Sequence, residues 1–305
     1  MSMMIPRSIW HDFLAEASAA PRPAIGTELA SGATLLGKGR TADVWALGDC
    51  AVKLFRHRSG IDVPGMIAAE IATYGRIPAN GVVMPRLLEH GIIESEPSDP
   101  NICGWAIFSR LKGEPLSFDR MHAILQRNSL FVEAMVSQTL LVETWLNNGD
   151  PLAAWHHNFV QARVVRLQVW RQEGRGVEDA DVILASRIHS FIKAQGGEQR
   201  FIHGDFNPPN ILVTQADDSE QPAIGFVDPM ISFDTPESNW RHFTAVPELA
   251  DALLAEYGAR TGSRGNMRLM YAMGAFTQLY NAISTPSQSR FRRQALRSCL
   301  ERAGL

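Results

Sequence analysis

The sequence predicts an α+β protein, with strands gathered in its first third and helices dominating the remainder. Three observations carry that expectation. Short apolar runs separated by turn residues recur between Ala33 and Phe108. Between residues 117 and 195, and again from Pro247 onward, apolar residues return at three- and four-residue spacing. Between these helical tracts, residues 201–213 (FIHGDFNPPNILV) set two apolar runs around a polar loop that holds His203, Asp205, Asn207 and Asn210, which is how a rigid scaffold presents chemistry to a cleft.

The spacing within that loop is specific. Asn210 follows Asp205 by five positions, with prolines between them. In such a loop the carboxylate meets a substrate hydroxyl and the amide oxygen turns toward a metal. Residues 223–227 (AIGFV) read as another short buried strand running into Asp228, and an aspartate at a strand end can hold a divalent cation that bridges nucleotide phosphates. Asp205 is therefore the candidate catalytic base, and Asn210 and Asp228 are the candidate magnesium ligands. A polar turn capped by its own Asp and Asn has the same local composition, but would not bring the upstream features described below.

With its H-G-D-x-x-x-x-N pattern and the aspartate that follows, this stretch resembles the aminoglycoside phosphotransferase and choline kinase-like group, and the resemblance extends over most of the chain. It implies a protein-kinase-like fold of two lobes. Residues 1–111 would form a small antiparallel-sheet lobe that binds the nucleotide, and residues 112–305 a larger helical lobe with the catalytic loop and the substrate site. The implied reaction is transfer of the terminal phosphoryl group of ATP or GTP, with magnesium, to a hydroxyl of a small molecule. An aminoglycoside-like antibiotic is the first expectation for the acceptor, and antibiotic resistance the matching role. Choline, a sugar or an amino alcohol are the alternatives.

Taken in order, residues 8–19 form a short amphipathic helix with Ile9, Phe13 and Leu14 on one side, stopped by Pro21 and Pro23. Residues 33–47 (ATLLGKGRTADVWAL) give strand, glycine turn and strand. Gly37 and Gly39 allow the backbone to approach phosphate oxygens, although an ordinary hairpin explains the pair nearly as well. The resembled pattern has a third glycine where this chain has Ala42. Residues 50–55 (CAVKLF) are the next strand, on which the Lys53 ammonium needs a partner unless the strand lies at an edge. The resemblance makes Lys53 the phosphate-contacting lysine. It pairs Lys53 with Glu70, the one carboxylate on the helical pattern of residues 64–77. Strands over 82–88 and 104–108 complete a sheet of about five. The polar link after Phe108 then corresponds to the hinge, where backbone groups of Ser109, Arg110 and Leu111 would bond the purine.

Trp145, Trp155 and Trp170 read as helix packing, and His156 and His157 as exposed polar positions. A polycationic acceptor would need several carboxylates on the helical lobe, and Asp179, Asp181, Asp234 and Glu237 are the candidates. After Asp228, the run PMISFDTPESNWRHF departs from the resembled pattern and only loosely echoes its acidic D-P-x-x-D segment. The last helix carries Arg290, Arg292, Arg293 and Arg297, read as a solvated face.

Composition removes several classes. Twenty-nine Lys and Arg against thirty-two Asp and Glu give a formal net charge of −3, with no whole-chain attraction to nucleic acid. No apolar run reaches the length of a membrane span, and the N-terminal residues do not form a signal core. Three cysteines in number, without metal-ligand spacing, argue against a disulfide framework or a zinc site, so a reducing cytoplasm is the default. A protein kinase would need a long activation segment after Asp228, and a non-catalytic nucleotide sensor would lack Asp205 or Asp228. Nothing in the sequence sets an oligomeric state, and a monomer is compatible with it.

Overall fold

A computed structural model of the chain describes residues 5–19, 24–39, 41–57, 62–78, 83–92, 102–117, 119–121, 123, 130–148, 159–214 and 222–305. The chain divides into two units, Met1–Leu111 and Lys112–Leu305.

In the first unit, helix α1 (Arg7–Ala19) turns Phe13 and Ala17, one helical turn apart, into the core. Phe13 meets Trp45 edge-on with ring centroids 5.9 Å apart. Five strands, β1 (Thr34–Lys38), β2 (Ala42–Leu47), β3 (Cys50–Arg56), β4 (Leu87–Ile92) and β5 (Ile102–Ser109), make one sheet in the order β1-β2-β3-β5-β4, with every neighbouring pair antiparallel. The Gly48–Asp49 turn between β2 and β3 requires a positive φ, +59° at Gly48, so glycine stands there. Strand β3 is central, and Val52, Leu54 and Phe55 are fully buried on it, each contributing about 1.5–3 kcal/mol of apolar transfer. Helix α2 (Val63–Tyr74) follows β3, opened by Pro64 in its first turn and by Asp62, whose side chain accepts the Gly65 N–H at 3.0 Å.

Two boundaries differ from the sequence reading. The fourth strand covers Leu87–Ile92 rather than residues 82–88, because Pro85 has no N–H for a ladder and the chain pairs only beyond it. Helix α2 ends at Tyr74, and the Gly75 N–H caps it on the Ile71 carbonyl.

In the second unit, β6 (Glu114–Pro115), β8 (Ile211–Val213) and β9 (Ile224–Phe226) form a small antiparallel sheet, and β7 (Arg200–Ile202) pairs with β10 (Ser232–Asp234). The described helices are α3 (Leu130–Asn147), α4 (Phe159–Gln172), α5 (Asp179–Gln195), α6 (Glu237–Trp240), α7 (Pro247–Thr261), α8 (Met267–Ser284) and α9 (Ser289–Ala303). Helix α8 is buried on nearly every side from Leu269 to Tyr280, which explains its run of Met, Ala and aromatic residues. Helix α9 does not expose all its arginines. Arg292 is buried, and its guanidinium donates to Gln278 Oε1 at 3.0 Å. Trp155, His156, His157 and the polar loop at 215–221 lie outside the described residues.

Candidate active site

In the first unit, β3 places Lys53 opposite Val44 of β2 and Ala106 of β5, so the lysine stands in the middle of the sheet and not at an edge. Its ammonium donates to both carboxylate oxygens of Glu70 on α2, at 2.9 and 2.8 Å, and both side chains are about nine-tenths buried. Each charge would be costly alone in that surrounding, and each satisfies the other. Gly37 lies at an irregularity in the β1–β2 ladder, with open space where a Cβ would stand. The Gly39 N–H closes the turn on the Ala42 carbonyl at 2.7 Å, while Ala42 itself is buried at the start of β2. At the link after β5, the Ser109 and Arg110 amides donate to the Arg86 and Asp49 carbonyls, at 2.9 and 3.0 Å. Among the described residues the Leu111 amide makes no backbone hydrogen bond.

In the second unit, β7 delivers His203, Gly204 and Asp205, and a short turn at Pro208–Asn210 returns the chain to β8. Gly204 has φ +76°, and a Cβ there would stand 1.9 Å from the Met230 carbonyl oxygen, so the middle residue of His-Gly-Asp must be glycine. His203 is fully buried, its Nδ1 accepts the Asp205 N–H at 3.4 Å, and its carbonyl accepts the Met230 N–H at 2.8 Å. Burial drives its pKa down to about 3, so the imidazole is a neutral structural piece of the loop. Asn210 Nδ2 donates to Asp205 Oδ2 at 3.0 Å and to the Asp205 carbonyl at 3.1 Å. Desolvation raises the Asp205 carboxyl to about 6. Arg241 and Arg163 oppose that rise and Asp228 adds to it.

Asp228 has φ +54°, the one left-handed non-glycine among the described residues. Aspartate tolerates that region better than most residues. The Val227 N–H on the Asn210 carbonyl and the Met230 N–H on the His203 carbonyl pin the backbone on either side of it to the loop, over-determining a conformation that costs about 1–3 kcal/mol. These contacts bring Asn210 and Asp228 to neighbouring positions. With the Asn210 nitrogen engaged by Asp205, its oxygen is the end that could face a metal. One amide oxygen and one carboxylate suit magnesium, a hard cation that keeps water and phosphate as its other ligands. Among the described residues no group of three or more His, Cys, Asp or Glu could hold a metal by itself.

Three residues that the sequence reading did not single out stand around Asp205. Arg241 is buried, donates to the Ser238 carbonyl at 2.6 Å and to Ser238 Oγ at 2.9 Å, and also donates to the Gly204 carbonyl. His242 Nε2 lies 3.6 Å from Asp205 Oδ1. Burial, followed by Arg241, Arg163 and Arg292, holds this imidazole neutral. Arg163 on α4 lies over the Tyr280 ring, 5.0 Å from its centroid, and interacts electrostatically with Asp205 and Arg241. The sequence signal for Arg241 is its setting in Trp-Arg-His-Phe, a charge among large aromatic residues. Arg163 carries no such signal.

The four carboxylates proposed for a polycationic acceptor are engaged elsewhere. Asp179 forms a two-pronged pair with Arg171 at 2.7 and 3.0 Å. Asp181 meets Arg293 at 3.2 Å and caps α5 through the Glu178 N–H. Asp234 accepts the Thr235 N–H at 2.8 Å, and Glu237 is buried and accepts the Asn266 N–H at 2.8 Å. The segment holding Asp234 and Glu237 is anchored by buried Glu143 on α3, whose oxygens accept from Asn239 at 2.9 Å and Tyr257 at 2.7 Å.

The sheet with its Lys–Glu pair and the helical unit with its Asp–Asn loop define a protein-kinase-like fold. A profile of the phosphotransferase enzyme family matches residues 32–229, and the chain belongs to that family. Among solved structures, it is similar to aminoglycoside 2′-phosphotransferase-IIIa in its GDP complex, at 12% identity and TM-score 0.61, covering 93% of this chain and 94% of that one. It is also similar to a microcompartment-associated aminopropanol kinase, at 15% identity and TM-score 0.58, covering 92% and 93%. A third is a choline/ethanolamine kinase family protein from Mesorhizobium loti, at 14% identity and TM-score 0.59, covering 97% and 94%. No curated protein sequence matches the chain.

Proposed function

We propose that the protein transfers the terminal phosphoryl group of ATP or GTP to a hydroxyl of a small molecule. The observation that carries this reading is the Asp205 carboxylate, held on one oxygen by Asn210 Nδ2 and shielded enough to sit near 6. At neutral pH it is ionised, yet more basic than an ordinary aspartate. Asp205 would orient the acceptor hydroxyl and take its proton as the oxygen bonds to phosphorus and the bond to the leaving diphosphate breaks. Lys53, held by Glu70, would neutralise phosphate charge, the Gly37 and Gly39 backbone would face the phosphates, and Leu111 would bond the base. Asn210 and Asp228 would hold magnesium, which when bound supplies charge neutralisation to the phosphates.

The solved relatives include enzymes for aminoglycosides and for small amino alcohols. An aminoglycoside needs carboxylates facing it, and Asp179, Asp181, Asp234 and Glu237 are all engaged in structural contacts. This supports a smaller alcohol over a polycationic antibiotic. An ATP-dependent reaction and three buried free cysteines suit a cytoplasmic enzyme.

The test is nucleotide turnover with magnesium and ATP or GTP across aminoglycosides, choline, amino alcohols, sugars and hydroxy acids. Acceptor-dependent turnover should fall by about 10²–10⁴-fold in Asp205→Asn while nucleotide affinity stays within a factor of about two. Full turnover in that variant would remove Asp205 from the chemistry.

A further inference from the structure

Among the described residues two guanidinium groups, Arg241 and Arg163, act on the candidate base, against one further carboxylate, Asp228. On α4, Arg163, Arg166 and Trp170 follow at helical spacing and all three contact Tyr280 of α8. Arg163 covers the ring at 5.0 Å, Arg166 Nη1 lies 3.4 Å from the hydroxyl, and Trp170 stacks on the ring at 5.5 Å. Among the described residues Arg166 has no carboxylate partner, and its hydrogen-bond neighbour is a neutral hydroxyl. His242 Nε2, 3.6 Å from Asp205 Oδ1, is shielded from solvent and lacks a hydrogen-bond partner among the described residues. Buried polar atoms are rarely left so.

We infer that the acceptor carries an oxyanion, a carboxylate or a phosphate, which docks against Arg163 and Arg166 beside Tyr280 while its hydroxyl is presented to Asp205. Guanidinium groups bind both oxyanions through paired N–H donors, and a tyrosine ring beneath Arg163 keeps that plane fixed. The inference rests on the phosphotransferase reading only for the role of Asp205. The docking itself depends on the arginines.

It is tested with a matched series on one hydroxylated skeleton: glucose, gluconate, glucose 6-phosphate and glucosamine, titrated at constant ionic strength in the presence of magnesium and a non-hydrolysable ATP analogue. An anionic member should bind at least tenfold more tightly than glucose, with glucosamine the weakest. Preference for gluconate identifies a carboxylate and preference for glucose 6-phosphate a phosphate. Arg166→Gln should weaken that binding by roughly ten- to a hundredfold, as loss of a charge-assisted contact does, and Arg166→Lys should restore part of it. Nucleotide affinity and melting temperature serve as folding controls. Equal binding across the series, preference for glucosamine, or an unchanged affinity in Arg166→Gln overturns the inference. Failure of the ATP analogue to bind would instead remove the kinase reading, and the charge ranking in its absence would still decide the acceptor.

Discussion

Lys53 and Glu70 neutralise one another inside the first unit, two contacts at 2.8 and 2.9 Å closing a pair across 17 residues of sequence. Asp205 in the second unit has the opposite setting. Its surroundings are supplied by Arg163, Arg241 and His242, from a helix before the loop and a segment after it. The first arrangement is local: strand, turn, helix, and a charge on each. The second is assembled from distant parts of the chain. A strand and the helix after it suffice to build the first, whereas the second depends on how separate elements pack.

The largest effect expected from that contrast is at the Lys53–Glu70 pair. Glu70→Ala leaves an ammonium buried without its carboxylate, a situation that costs about 3–5 kcal/mol. Its melting temperature should drop and its KM for ATP rise, while binding of acceptor-side anions is unchanged. Loss of anion binding along with ATP affinity would show that the two regions do not act separately.

Next is Gly204→Ala. At φ +76°, with the Met230 oxygen in the way of a Cβ, the substitution must move either the loop or the segment beyond Asp228. A destabilisation of at least about 1–3 kcal/mol is expected from the backbone conformation alone, with a larger loss of turnover than of nucleotide affinity. Wild-type turnover in a folded Gly204→Ala protein would mean that the geometry of the Asp205 loop is not what supports the reaction.

These two sites also differ in how much the sequence reveals of them. The Asp205–Asn210 spacing, the aspartate after a short strand, and a lysine in an apolar strand are each legible because the residues sit within one element or one turn of chain. Helix α2 and the five strands are legible for the same reason, and β4 is displaced only because Pro85 stops the ladder where hydropathy alone would continue it. Arg163 and His242 are not legible, since no spacing rule links α4 or the segment after α6 to the loop. Their meeting at Asp205 follows from tertiary packing of α8 and the Glu143 anchor. The contacts of Asp181 with Arg293 and of Glu237 with Asn266 are hidden for that reason too, whereas Asp234 and the Asp181 cap bond within their own turn. A carboxylate's partner is visible in sequence only when it lies within a turn or a strand pair.

A smaller effect follows from the setting of Asp205. Its carboxyl is raised to about 6, so kcat/KM should fall about tenfold per unit as pH drops below that value and the base is protonated. The stability change has the opposite sense. Between the ordinary carboxylate value near 4 and about 6, the folded chain holds a proton that the unfolded chain has released, so through this group stability rises as pH falls across that window. Glu143, raised by burial to about 7, acts with the same sign. The Asp205 share is therefore the difference between wild type and Asp205→Asn in melting temperature against pH. Superimposable slopes would place the carboxyl at its ordinary value.

The smallest effect is expected at Asp179. Its pair with Arg171 has good two-pronged geometry but stands in solvent, with 75% of the Asp179 side chain exposed, where ion pairs contribute little. Asp179→Asn should leave the melting temperature, the ATP affinity and the acceptor KM unchanged. The experiment is informative because it separates two pictures of the acceptor. If a cation docks on the helical unit, this carboxylate is one of the groups that would attract it, and its loss would raise KM for that acceptor and reduce the dependence of KM on salt. If an oxyanion docks beside Tyr280, removing this solvent-exposed negative charge does not raise KM, and KM responds to Arg166 instead.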